Sequence, residues 1–192
     1  MIPTLPLGPR NRLAEMILAA LHDPQARADL DTLARTPEGR PPSGWLTADD
    51  ERYTGALVAR ARCASEALGG RAPGRPGASL DETLEQAAPL FDAGLYFEVH
   101  ELLEPYWREA SGGMREALQG LIQIAVGYQH LANGNFRGAA SLLDEGRGRI
   151  ERGTLPRLDL RRFAHEVGAS RPRLHEIDTD DVPCFPRASR EQ

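Results

Sequence analysis

Apolar residues recur at helical spacing along most of the chain, and no alternating run of useful length suggests a strand. The pattern predicts an all-α protein. Three helices are expected first. "NRLAEMILAALH" opens the first, and "DPQARADLDTLART" forms the second, with Asp23 as N-cap and Pro24 in the first helical position. "TADDERYTGALVARARCASEALGG" forms the third, capped by Thr47 and stopped by a glycine pair. The intervening "PEGRPPSGW" reads as a loop. Together residues 1–68 make an N-terminal helical segment, and residues 69–79, "GGRAPGRPGAS", have the composition of a flexible linker.

Residues 80–170 then read as a helical core domain. Ser79 and Glu82 stand in the capping-box pattern, and the helix they open ends at Gly94. The next helix carries "YFEVHELLEPYW", residues 96–107. A third, residues 114–132, is apolar around most of its circumference and is therefore expected at the centre. "NGN" makes a tight turn, with Gly134 as a left-handed stop and Asn135 as the cap of the helix in "FRGAASLLDEGRGRIERG". "DLRRFAHEVG" closes the fold, and residues 171–192, with Pro172, Pro183 and Pro186, read as an irregular tail. Trp107, Leu121, Ile122, Ile124, Leu142 and Leu143 occupy the apolar arcs and are expected in the core.

An internal echo connects two of these hairpins. Laid over residues 131–144 at a shift of forty, residues 91–104 place Gly94 on Gly134, Tyr96 on Phe136, Leu102 and Leu103 on Leu142 and Leu143, and Glu104 on Asp144. Periods of this size arise from helical-hairpin repeats, although two units are fewer than a solenoid needs. The expected architecture is thus a compact helical bundle of two similar antiparallel helical hairpins with an N-terminal helical extension. A short tetratricopeptide-like module holding a peptide in its groove is the alternative. His100 falls on Ala140, so the packing of the motif does not demand a histidine there.

Composition narrows the partners. The 192 residues are 41% hydrophobic, enough to fill a core, and carry a net charge of −5. All 23 basic residues are arginine, but the arginine-rich stretches are interleaved with acids and lack a stacking aromatic platform, so nucleic acid is not expected. The longest apolar run near the start, "MILAAL", is too short to span a bilayer. Cys63 and Cys184 are widely separated and suggest neither a thiolate metal site nor a disulfide framework. The expected location is cytoplasmic, and the partner a protein or small molecule.

The chemistry concentrates at His100. On a helix, His100 and Glu104 lie one turn apart, in the arc of Tyr96, Leu103 and Trp107. Gln119, Gln123 and His130 form an uncharged polar stripe on the following helix, better explained by partial burial against a polar surface than by solvent. The expectation is one enclosed cluster in which His100 meets Glu104 and at least one of Gln119, Gln123 and His130. It would be either a closed network that sets helix register or a working site. "HELLE" also follows the spacing logic of a zinc helix with its second histidine replaced by glutamate. A divalent metal on His100 and Glu104, with His130 completing three ligands, is the corresponding cofactor expectation. His22, His165 and His175 sit in charged surroundings and read as surface residues.

"LFDAGLYFEVHELLEPYWREA", "QGLIQIAVGYQHLANGNFRGAASLL" and the spacing between them resemble the domain-of-unknown-function family number 309 over residues 84–152. The resemblance implies a compact all-helical domain and carries that family's signature onto His100, Glu101, Glu104, Trp107, Gln119, Gly120, Gln123, His130, Gly134 and Asn135. Pro105 departs from it, removing a backbone donor beside Glu104. No activity is implied.

The favoured function is a binding or scaffolding helical module with a buried polar His/Glu/Gln cluster, its binding residues being Tyr96, Trp107, Gln119, Gln123, His130 and Asn135. The alternative is a metal-assisted or acid/base hydrolase, with Glu101 or Glu104 as base and His100 as acid or ligand. A third reading has the N-terminal segment cover a groove and regulate a partner. No nucleophile elbow or phosphate-binding glycine loop supports a named reaction.

Overall fold

The computed structural model describes residues 5–37, 42–75, 77–171, 174 and 181–187. They are all-α, with eight α-helices and no strand among them. The chain divides into two units, Met1–Ala78 and Ser79–Gln192.

The first unit holds α1 (Leu7–Ala19), α2 (Pro24–Ala34) and α3 (Thr54–Leu68). Asp23 caps α2 as its position predicts, its carboxylate accepting from the Gln25 amide at 2.8 Å. Thr47 does not start α3. Its hydroxyl turns to the Asp50 carboxylate, and residues 48–53 wind as a 3₁₀ turn before the α-helix begins at Thr54. That stretch, "ADDERY", buries none of its residues, so packing gives it no reason to extend α3. The unit's core is aliphatic: Leu13, Ile17, Leu30, Leu57 and Ala61 are fully buried. After α3 the chain folds back, the Gly74 amide donating to the Leu21 carbonyl at 2.7 Å and Arg27 donating to the Arg71 carbonyl.

The second unit holds α4 (Leu80–Asp92), α5 (Tyr96–Glu109), α6 (Gly112–Ala132), α7 (Phe136–Arg152) and α8 (Leu160–Ser170). The capping box at Ser79 and Glu82 is present. Short turns join the first four helices, and side-chain contacts show each running antiparallel to the next. Thr83 near the start of α4 bonds Tyr106 near the end of α5, while Phe91 at the end of α4 meets Tyr96 at the start of α5. Likewise Tyr96 lies against Tyr128 and Trp107 against Arg115, and Glu116 on α6 binds Arg149 on α7.

The forty-residue echo corresponds to equivalent turns. Gly94 and Gly134 both adopt φ +74°. The Gly94 and Gly134 amides donate to Phe91 and Leu131, and the Leu95 and Asn135 amides to Leu90 and His130, all at 2.9 Å. Glycine is needed at both positions because a side chain is strained in the left-handed region.

Between α6 and α7 the helices approach through small residues. A Cβ on Gly120 would come within 2.6 Å of Ile150, and one on Gly127 within 2.9 Å of Leu143. Leu121, Ile124 and Leu143 are buried as their arcs predict, whereas Trp107, Ile122 and Leu142 are only half-buried. An aromatic cluster of Phe91, Tyr96, Tyr128, Phe163 and Phe185 fills the other side of the core. The tail therefore contributes to the fold through Phe185. Pro172 and His175 lie outside the described residues.

Candidate functional site

Helix α5 sorts its side chains by arc. Tyr96, Val99 and Leu103, spaced three and four apart, point into the core and are buried. His100, Glu101 and Glu104 fall at the edge of that stripe, with side chains 28%, 38% and 27% exposed. The helix continues through Pro105, which is exposed and removes the amide that would bond the Glu101 carbonyl.

The His100 ring sits between two carboxylates. Its Nδ1 is 3.1 Å from Glu101 Oε1, and its Nε2 is 4.0 Å from Glu104 Oε2. The first distance is that of a close ion-pair contact, and the second stands at the limit of one. Glu104 is itself held from the other side, its Oε1 accepting from Arg108 at 2.7 Å. One ligand atom from each of His100, Glu101 and Glu104 falls within 4.8 Å of the others, a set that could hold a metal ion. Among the described residues no other group of His, Cys, Asp and Glu does so, and His130 is outside this one.

The expected larger cluster is thus divided in the structure. Gln123 faces α7, where its Nε2 donates to Glu145 at 3.1 Å and Ser141 donates to the same carboxylate, while Gln123 Oε1 is buried without a partner. Gln119 is half-buried beside Gly120 and makes no side-chain hydrogen bond among the described residues. His130 pairs with Asn135 across the α6–α7 turn. Asn135 Oδ1 accepts from the Gly138 amide at 2.9 Å, so its Nδ2 is the group that donates to His130 Nδ1 at 2.8 Å. Those two residues form a helix cap braced by an imidazole acceptor, with the other His130 nitrogen left to carry the proton.

Two aromatic residues of the expected binding set also take different places. Tyr96 belongs to the aromatic core, 5.1 Å from Phe91 and 5.8 Å from Tyr128 between ring centroids. Burial pushes its hydroxyl well above the ordinary tyrosine range, helped by Tyr128 and Asp92 nearby. Tyr128 is pushed up to about 12 by burial, partly offset by its hydrogen bond to Ser170. Trp107 lies under the Arg115 guanidinium, 4.4 Å from its ring, with its indole nitrogen buried and unpaired. Arg115 also donates to the Trp107 carbonyl at 2.8 Å, satisfying one of the orphan acceptors at the end of α5.

Sequence reasoning missed Arg108 and Glu145 as partners, and Glu98, which is fully buried in the first turn of α5. The Glu104–Arg108 spacing of four was a legible signal. Glu145 depends on how α6 packs on α7, which local spacing does not contain.

The geometry defines an all-α unit with a half-exposed histidine and two carboxylates at one helix edge. Residues 84–142 match the family described as "Domain of unknown function (DUF309)", a span that runs from α4 into α7 and contains the His100 site and the Asn135 cap. No curated protein and no solved structure matches the chain.

Proposed function

We propose that the second unit is a binding module, that the edge of α5 bearing His100, Glu101 and Glu104 is its working face, and that a divalent metal ion is held there. The observation that carries this reading is the placement of one imidazole between two half-exposed carboxylates. A metal-bound histidine commonly gives its other ring N–H to a carboxylate, which fixes the tautomer and orients the ring. Glu101 is placed for that task. Nε2 then stands 4.0 Å from Glu104 Oε2. Two ligand bonds of about 2 Å each bring their donor atoms to roughly 3–4 Å apart, so a small ring rotation suffices.

Two protein ligands leave positions open for water, a small molecule or a side chain of a partner protein, which suits a module that bridges. The local surplus of carboxylates disfavours a nucleic-acid partner. The hydrolytic alternative uses the same trio, with Glu101 or Glu104 as base and His100 as acid or ligand. It draws less support, since Gln123 and His130, which would have to orient the reacting groups from the next helix, are turned to α7 and Asn135.

The test is thermal melting of His100→Ala and Glu104→Gln without metal. A half-exposed working site that holds none of the core should lose little or no stability in either variant. A loss of roughly 1–3 kcal/mol in both, non-additive in the double variant, would make the trio a structural network instead.

A further inference from the structure

The C-terminal segment reaches the core, and one carboxylate holds it there. Phe185 is buried, with its ring 5.4 Å from Phe91 and 6.2 Å from Phe163. Its amide donates to Asp92 Oδ1 at 2.8 Å, and the Arg187 guanidinium pairs with Asp92 Oδ2. Both oxygens of Asp92 are therefore spent on residues 93 and 95 positions further along the chain. Pro183 and Pro186 carry no amide and keep the residues before them extended, so the segment cannot add a helical turn to the fold. Pro186 is buried with Phe185, while Cys184 and Arg187 on either side are exposed.

Asp92 is also the last residue of α4, directly before the turn through Gly94. Phe91, which the tail covers, lies edge-on to Tyr96, the first residue of α5. In the first turn of α5 the Val99 amide closes on the Leu95 carbonyl at 3.1 Å, and His100 follows it. A chain of contacts thus runs from the tail through Phe91 and Asp92 to the turn of α5 that carries the histidine.

We propose that residues 184–187 are a detachable strap keyed by Asp92, and that its seating fixes the first turn of α5 and so the position of His100. As a means of regulating the α5 face, the proposal rests on the reading of that face given above; as a mechanical coupling, it is independent of it. Seated, the strap closes the aromatic cluster and holds the α4–α5 turn. Released, it uncovers Phe91 and leaves the start of α5 free to fray, with His100 no longer set between its carboxylates.

Amide hydrogen exchange on the full chain tests it. In Arg187→Ala the Phe185 amide should exchange about fivefold faster, the loss a partly exposed ion pair gives, and the Val99 amide should speed up with it while Leu121 and Ile124 stay unchanged. Arg187→Lys should restore both rates, and Asp92→Asn, which keeps an acceptor for the Phe185 amide but loses the ion pair, should reproduce the alanine result. If Phe185 exchanges only together with Leu121 and Ile124, the segment is ordinary core and the strap is overturned. If Phe185 responds and Val99 does not, the coupling to α5 is overturned. Should wild-type protein take up no zinc while Phe185 and Val99 respond as expected, the strap stands and the metal reading of the face fails.

Discussion

Gly120 on α6 lies against Gly146 on α7 so closely that a Cβ on either would come within 2.8 Å of the other's carbonyl oxygen. The obstacle is backbone, which cannot step aside as a side chain can. Gly120→Ala and Gly146→Ala should each destabilise the protein by roughly 1–3 kcal/mol through overpacking. Gly148→Ala is the control: its Cβ would meet only the end of the Arg152 side chain, at 3.4 Å, and helix propensity favours the alanine. Urea unfolding of the three variants reads the difference. Equal stability in all three would mean that the close crossing does not exist.

The Asn135 cap gives a second prediction. Asn135→Ala strands the Gly138 amide and removes the donor to His130, so it should cost about 1 kcal/mol. Asn135→Asp keeps the capping oxygen and should recover most of the loss. The same melts on His130→Ala should show a smaller effect, because the imidazole only braces a cap that stands without it. A His130 variant less stable than the Asn135 variant would reverse that order of importance.

Tyrosine ionisation provides a third. Burial holds Tyr96 and Tyr128 above the ordinary value of 10, Tyr128 to about 12. Unfolded tyrosines ionise first as pH rises, so the unfolded chain binds fewer protons and stability falls with pH. The contribution of Tyr128 is present in full below about pH 10 and is lost as pH rises toward 12. Absorbance at alkaline pH should show a late phase that coincides with loss of helical structure. Early ionisation of all four tyrosines with the helices intact would contradict the aromatic core.

These tests also mark what the chain reveals before folding. Ser79 with Glu82, Gly94, Gly134 and Asn135 are local signals, and each appears in the structure doing what its position requires, because a cap or a left-handed stop involves only its own few residues. His100 with Glu104 was legible for the same reason, one turn of one helix. The destination of Gln123 and His130 was not. Helical spacing shows which residues share a face, but not which neighbouring helix that face meets, and here the glycine crossing draws α7 against α6 and gives the polar stripe Glu145 and Asn135 as partners. Trp107, Ile122 and Leu142 stand half-exposed for a related reason: apolar arcs are wider than the surfaces that cover them.

The two units suggest a dissection. A chain of residues 79–192 alone contains its own capping box, aromatic cluster and strap contacts, and it should fold with cooperative melting. Circular dichroism of that fragment checks this. A fragment without cooperative unfolding would mean that residues 1–78 complete its core.

That His100 and Glu104 hold a divalent metal, with Glu101 orienting the ring, is open to calorimetric titration of zinc into metal-free protein beside His100→Ala and Glu101→Gln. The wild type should show one site per chain, abolished in His100→Ala. Glu101→Gln, which keeps an acceptor for the ring but loses the carboxylate charge, should retain the site at about 10–100-fold lower affinity. Zinc uptake unchanged in His100→Ala, or no heat of binding in a wild type whose His100→Ala variant is less stable by roughly 1–3 kcal/mol, would contradict it and leave the trio as part of the scaffold.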